Sequence, residues 1–342
     1  MLALAQETGR LLSCHLRGPV RSARRGWSAS IAGAERRHLV VSVPGRDAVP
    51  LAGDPGFLGA RRLAGKVAIV SGAGSRPAGA DGPIVGNGRA TAIVFAREGA
   101  RVALIDERRD WAEETGRTIA REGGEAILVE ADVTDGEACR GAVERVLVAF
   151  GGLDLLVNNV GVSGPAGDAV EVDPEAWDRA MRVNVASMML MAKHALPPMI
   201  AAGGGAIVNI SSVSGLLGGH PSLLYPTTKA AVIGLTRAMA AHHALQGVRV
   251  NCIAPGTVYT PMVAGRGMTP ELREARRLGT LLQVEGTAWD VAAAAAFLAS
   301  DAARWITGVV LPVDAGATAA RLQALSPRSD GAPPPGFEGT EG

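Results

Sequence analysis

Seven short, mostly apolar runs recur along this chain, separated by longer stretches with helical character: Lys66-Val-Ala-Ile-Val, Arg101-Val-Ala-Leu-Ile, Ala126-Ile-Leu-Val, Leu153-Asp-Leu-Leu-Val, Ala206-Ile-Val-Asn-Ile, Val248-Arg-Val-Asn-Cys-Ile and Val309-Val-Leu-Pro-Val. A strand exposed on one face alternates apolar with polar residues. A strand that is apolar throughout is buried on both faces, as in a parallel sheet covered by helices. The alternation therefore predicts an α/β fold of the doubly wound, Rossmann type: three layers, a seven-stranded parallel sheet and a single domain. Ligands of such a sheet lie outside the carboxyl ends of its strands.

Length and charge narrow the function classes. The 342 residues supply one large domain, expected over residues 63–318, with an extension at 1–62 and a tail at 319–342. A formal net charge of +1 argues against a nucleic-acid footprint, and no apolar run reaches the ~18 residues that suggest a membrane span. Cys14, Cys139 and Cys252 are odd in number and far apart, which reads as reduced structural thiols of a cytoplasmic protein. No metal site is expected: the adjacent His242 and His243 lack the i, i+4 spacing of a ligand pair and read as a solvated helix face.

The first sixty-odd residues, with stretches such as Arg17-Gly-Pro-Val-Arg-Ser-Ala-Arg-Arg-Gly, show no sustained period. They admit a mitochondrial-type transit peptide, or a disordered extension, or a start assigned too far upstream. Lys66, Lys193 and Lys229 are the only lysines of the chain, so the arginine richness reads as coding bias and favours the second or third reading. The Pro- and Gly-rich segment from Ser326 reads as a disordered tail.

Chemistry concentrates in Ser222-Leu-Leu-Tyr-Pro-Thr-Thr-Lys. Spacing of four places Tyr225 and Lys229 on one helix face. A cation held near a phenol favours the phenolate and lets the hydroxyl exchange a proton with a substrate oxygen; the plain alternative is an ordinary surface contact. Ser212 ends the strand run Ala206-Ile-Val-Asn-Ile and precedes Tyr225 by 13 positions (225 − 212). Asn184 lies in Met181-Arg-Val-Asn-Val within a long helical stretch, and Asn158-Asn-Val-Gly161 closes the fourth strand. Pro226 suits the first turn of the helix that carries Tyr225.

With a glycine-rich turn after the first strand, this ordered set resembles the classical short-chain dehydrogenases/reductases over roughly residues 65–317. The resemblance implies an NAD-dependent oxidoreductase, NADP being the second possibility, acting on a small-molecule secondary alcohol or ketone and assembling as a homo-oligomer, tetramer or dimer. In it Tyr225 is the general acid/base, Ser212 holds the substrate oxygen, Lys229 assists Tyr225 and binds the nicotinamide ribose, and Asn184 holds a water linking Lys229 to solvent.

The first turn departs from the family pattern. Ser71-Gly-Ala-Gly-Ser75 is followed by an insertion at 76–85 before Gly86-Asn-Gly resumes, so Gly72, Gly86 and Gly88 align with the three motif glycines, joined by Ser75 and Asn87. Pro83 favours a helix starting after it, and a helix N-terminus there attracts phosphate. A flexible loop rich in glycine is the plain alternative. Asp106 ends the second strand, where a carboxylate accepts from the ribose hydroxyls and repels a 2′-phosphate, with Arg108 and Arg109 as possible counterweights; its plain role is a helix N-cap.

Asp132 and Val133 resemble the adenine-contacting pair, and Asn159 and Gly161 the segment passing the adenosine half. Pro255, Gly256, Val258 and Thr260 resemble the loop that holds the nicotinamide carboxamide. Residues 261–282 stand where the family carries its substrate lid; Met262, Val263, Met268 and Leu278 there, with His220, Leu223 and Leu224, are expected near the pocket. Two other readings remain: a non-catalytic dinucleotide-binding protein, and an enoyl-type C=C reductase, whose relatives space the Tyr and Lys more widely.

Overall fold

The computed structural model describes residues 61–77, 84–265 and 267–320. Nearly all of the expected extension and tail, with Cys14, and the middle of the expected insertion, with Pro83, lie outside the described residues.

The elements alternate as the apolar runs require: β1 (Val67–Ser71), α1 (Asn87–Arg97), β2 (Arg101–Asp106), α2 (Arg109–Arg121), β3 (Ala126–Glu130), α3 (Gly136–Phe150), β4 (Leu155–Asn158) and α4 (Pro174–Met181). There follow α5 (Ser187–Ala201), β5 (Gly205–Ile210), α6 (Leu224–His243), β6 (Val248–Pro255), α7 (Pro261–Ala264), α8 (Pro270–Leu278), α9 (Ala288–Ala299) and β7 (Val310–Val313). All seven strands pair in parallel in the order β3-β2-β1-β4-β5-β6-β7. The direction of strand addition reverses between β1 and β4, and this switch point opens a crevice at their carboxyl ends. Ser71, last in β1, pairs there with both Ile105 and Asn158.

The strands lack polar alternation because each feeds two cores. Ala68, Val70, Val102 and Leu104 pack on one face with α1 and α9, while Val67, Ile69, Ala103 and Ile105 pack on the other with α3 and α5. Successive side chains point to opposite faces, so both sets must be apolar.

Polar side chains link the inner elements, with Asn158 Oδ1 left without a partner among the described residues. Asn158 Nδ2 donates to Asn209 Oδ1 at 2.9 Å, Asn209 Nδ2 to the Thr236 hydroxyl at 3.0 Å, and that hydroxyl to the Val232 carbonyl at 2.8 Å. The chain joins β4, β5 and α6 inside the protein, where a hydrogen-bonded polar group is tolerated and an orphan is costly.

Cys139 and Cys252 are buried, and burial pushes each thiol up to about 11. The reactive thiolate is therefore scarce at neutral and mildly basic pH. At pH ~8, near the pKa of a free thiol, iodoacetamide is expected to leave both cysteines unmodified in the native protein and to alkylate both after denaturation, read by peptide mass spectrometry. Native-state alkylation at either position would show that its core is open.

Candidate active site

The first turn is held by hydrogen bonds to the end of β2 and by one across the insertion. Gly72 takes a left-handed φ of +66°, and the Gly72 and Ala73 N–H groups donate to the Ile105 carbonyl. Gly74 N–H donates to Asp106 Oδ2 at 2.8 Å. Across the insertion, Gly86 N–H donates to the Ser75 hydroxyl at 2.9 Å. That bond closes the neck of the extra segment and delivers Gly86 to the start of α1.

The glycines serve different ends. A Cβ on Gly88 would lie 1.9 Å from the Gly72 carbonyl oxygen and 2.6 Å from Asn159 Nδ2, so α1 meets β1 there at backbone contact. A Cβ on Gly86 would meet nothing nearer than the Ser75 hydroxyl at 3.5 Å. The protein has no packing need for glycine at 86; the space it leaves opens on the cavity. Gly74 was not singled out from the sequence, yet a Cβ there would stand 2.7 Å from Trp111 Cβ and 2.9 Å from Asp106 Oδ2.

A cavity of about 490 Å³ occupies the crevice, running from Asp106 and Trp111 past the α1 N-terminus to Tyr225, Lys229 and Thr260. Gly72, Ser75, Gly86, Asn87 and Gly88 line it at the first turn; Asp132, Val133, Asn159 and Gly161 line its middle. Asp106 is buried and accepts from Gly74 N–H and, at 3.0 Å, from Arg108 N–H. Arg108, not Asp106, occupies the N-cap of α2, so the capping alternative does not describe this carboxylate. The Arg108 guanidinium pairs with Asp110 and that of Arg109 with Glu113. Asp132 accepts from Thr134 N–H at 2.8 Å, and Asn159 donates to the Gly72 carbonyl at 3.1 Å.

At the other end, the first turn of α6 presents Tyr225 while Lys229, one turn on, is buried. Lys229 Nζ lies 5.7 Å from the Tyr225 ring centroid and donates to the Ile210 carbonyl at 3.1 Å. The ammonium is thereby fixed between the end of β5 and the phenol. His220 stacks on Tyr225 with ring centroids 5.0 Å apart, and its Nδ1 accepts from Ser222 N–H. Ser212 Oγ accepts from Ser214 N–H at 3.1 Å, which leaves its own proton available for donation. Ser211, beside it, donates to the Lys229 carbonyl at 2.7 Å and pins α6 to the end of β5.

Asn184 lies within a long helical stretch, as expected, at a local widening of it. Residues Arg182–Ala186 form a π-helical turn that joins α4 to α5 without a break. The Asn184 side chain accepts from Val162 N–H at 2.7 Å and donates to the Val162 carbonyl and the Thr228 hydroxyl, both at 2.8 Å. The wider turn aims the amide at that loop, the kind of local rearrangement π-bulges make near functional sites.

The loop after β6 reaches the cavity only in part. Thr260 lines it, followed by Pro261 and Met262, whereas Pro255, Gly256 and Val258 do not. Gly256 is glycine because a Cβ would stand 2.6 Å from Asp314 Cβ, and Val258 is buried in the core that holds α1 and α9. Of the other expected pocket residues, Leu224 is buried, Leu223 and Leu278 are exposed, and none of the three lines the cavity.

The residues fit a dinucleotide. A free helix N-terminus with room for backbone approach suits a pyrophosphate. An acidic acceptor closes one end and a Tyr/Lys pair the other. Among the described residues no cluster of three or more His, Cys, Asp or Glu side chains could hold a metal ion.

A family model described as enoyl-(acyl carrier protein) reductase matches residues 84–318. Cis-4-hydroxycyclohexanecarboxylate dehydrogenase of Sinomonas cyclohexanicum is 40% identical over 259 residues, covering 75% of this chain and 98% of that protein. 2,5-dichloro-2,5-cyclohexadiene-1,4-diol dehydrogenase of Sphingobium indicum is 37% identical over 257 residues, covering 75% and 98%. Among solved structures, carveol dehydrogenase from Mycobacterium avium in complex with NAD matches with a TM-score of 0.69 at 31% identity, over 76% of this chain and 99% of that one.

Proposed function

The chain belongs to the short-chain dehydrogenase/reductase family, and from that membership we propose its reaction and the residues that carry it. It is an NAD(P)-dependent oxidoreductase that interconverts a secondary alcohol and a ketone, with NAD as its cofactor. The observation that carries the assignment of residues is the presence of Tyr225 and Lys229 at one end of a cavity that Ser211, the chain neighbour of Ser212, also lines and whose other end is Asp106. Bound NAD supplies the hydride acceptor and NADH the donor.

The chain's own residues do the rest. In oxidation Tyr225, as phenolate, takes the alcohol proton at its hydroxyl oxygen; in reduction it returns a proton to the carbonyl oxygen. The Lys229 ammonium, 5.7 Å from the Tyr225 ring centroid, stands beside the phenol and reaches the nicotinamide ribose. Ser212 donates its proton to the substrate oxygen and holds it for transfer. Asn184 braces the Val162 loop against Thr228 in α6 and, through a water, connects Lys229 to solvent. Gly72, Ser75, Gly86, Asn87 and Gly88 cradle the pyrophosphate, Asp106 the adenosine ribose, Asp132, Val133, Asn159 and Gly161 the adenosine half, and Thr260, backed by Pro255, Gly256 and Val258, the nicotinamide.

The catalytic domain is residues 63–318, the enzyme is a cytoplasmic homo-oligomer, and its preferred substrate is a ring-borne secondary alcohol. The names of the two relatives above, each a dehydrogenase of a six-membered carbocyclic alcohol, support the last point. No described helix is long and apolar enough to cross a membrane. Purified protein incubated with NAD and a panel of cyclic and acyclic secondary alcohols should form NADH, fastest with the cyclic ones. Turnover confined to C=C reduction would instead favour the enoyl reductase that the matching model describes; the four-residue spacing of Tyr225 and Lys229 argues against it. Size by light scattering tests the oligomer.

Cofactor choice gives a separate test. Asp106→Ala removes the ribose acceptor and its repulsion of a 2′-phosphate, and also frees Gly74 N–H. The expected result is NAD affinity lowered by roughly ten- to hundredfold, the range of a lost hydrogen bond to a charged group, with NADP affinity little changed. Equilibrium titration of both cofactors checks this. A wild-type protein that prefers NADP would show that Arg108 or Arg109 outweighs the carboxylate.

A further inference from the structure

Helix α8 buries none of its side chains, yet Arg273 ties it to the segment that leads into the cavity wall. Arg273 Cζ lies 3.8 Å from the centroid of the Tyr259 ring, and its Nε lies 2.5 Å from Glu285 Oε2. Both partners are inside: Tyr259 is 7% exposed and the Glu285 side chain 10%. The second Glu285 oxygen is buried without a hydrogen-bond partner among the described residues, so the carboxylate depends on this guanidinium. Arg277, on the same helix, pairs locally with Glu274 and donates to the Gln283 carbonyl, so it ties α8 to the chain before Glu285 but touches neither Glu285 nor Tyr259.

Tyr259 and Glu285 belong to two segments that already pair. Tyr259 N–H donates to the Gly286 carbonyl at 3.0 Å, Gly286 N–H donates to the Thr257 carbonyl at 3.1 Å, and Val258 bridges to Gly286. The residues after Tyr259 are Thr260, Pro261 and Met262, which line the cavity. We infer that Arg273 is a positioning residue for the reaction: stacked on Tyr259 and paired with Glu285, it clamps α8 to residues 257–262 and fixes the cavity wall against which the nicotinamide end of the cofactor rests. The inference rests on the reading of this cavity as the NAD site. A guanidinium suits the task because it stacks through its plane while donating in that plane; an ammonium does only part of both.

The test compares Arg273→Met, which keeps the aliphatic stem, with Arg273→Lys and Glu285→Gln, folding being verified by circular dichroism. In protein without cofactor, amide hydrogen exchange of residues 257–262 should quicken in Arg273→Met and less so in the other two. With NAD, KM for the cofactor should rise about two- to fivefold in Arg273→Met, the scale of one solvent-exposed cation–π contact, with kcat little altered and with Arg273→Lys partly restoring KM. Faster exchange confined to α8, with residues 257–262 and KM unchanged, would overturn the clamp. Should Arg273→Met not fold, unchanged exchange at 257–262 in both remaining variants would overturn it equally. Faster exchange at 257–262 in a protein whose wild type neither binds nor reduces NAD would uphold the clamp and defeat the cofactor reading.

Discussion

Tyr225→Phe should lower kcat by about 10²- to 10⁴-fold, the usual contribution of a positioned acid or base, while leaving NAD affinity nearly unchanged. The expectation follows from what the substitution spares. Phenylalanine keeps the ring that stacks on His220 at 5.0 Å and sits 5.7 Å from Lys229 Nζ. It keeps the backbone N–H that donates to the Ser222 hydroxyl and the carbonyl that accepts from Thr228. Only the exchangeable proton goes, so the chemical step should fail and the binding step should not. Steady-state turnover with a cyclic secondary alcohol, beside NAD titration by fluorescence quenching, separates the two. Activity near wild type would remove Tyr225 from the mechanism; a joint loss of turnover and NAD binding would make it a structural residue of the cavity.

The frame of this site is legible in the chain because the features that encode it are local. Tyr225 and Lys229 share a helix face by spacing alone, and Val67, Ala68, Ile69 and Val70 announce a two-sided strand because alternate residues enter different cores. What is not legible depends on partners far along the chain. Nothing near Asn184 signals a π-helical turn, since the group it grips is Val162, twenty-two positions away. Gly74 reads as one more loop glycine until Trp111 and Asp106 fold against it. Gly256 reads as a cofactor contact, whereas the backbone that excludes a side chain there belongs to Asp314. Arg273 lies among the charges of an exposed helix, and only folding brings Tyr259 beneath it. Spacing reports a helix or a strand; it cannot report which distant backbone will come within contact of a given side chain.

Gly86→Val and Gly88→Val, two residues apart in one motif, should fail in opposite ways. At position 88 the added Cβ would lie 1.9 Å from the Gly72 carbonyl oxygen and 2.8 Å from its carbon, both backbone atoms of the turn after β1. Neither can retreat by a rotamer change, because Gly72 N–H is held by Ile105 and its carbonyl by Asn159. Helix α1 would have to lift from the sheet, opening the core around Ala90, Ile93 and Val94. A cost of several kcal/mol, as for other severe core disruptions, is expected, and the variant should unfold far below the wild-type temperature. At position 86 the protein leaves room: the nearest atom to a built Cβ is the Ser75 hydroxyl oxygen at 3.5 Å. Gly86→Val should therefore keep a Tm close to wild type. Its branched side chain would instead stand at the N-terminus of α1, in the space through which a pyrophosphate approaches the free N–H groups. Each lost hydrogen bond to a charged group costs roughly ten- to hundredfold in affinity, so NAD binding should weaken by at least that much. Thermal unfolding and NAD titration on both variants decide the matter. Wild-type NAD affinity in a folded Gly86→Val protein would show that the phosphates bind elsewhere and that residues 76–85 do not merely loop out from the cradle. Normal stability in Gly88→Val would show that α1 and β1 are not in backbone contact.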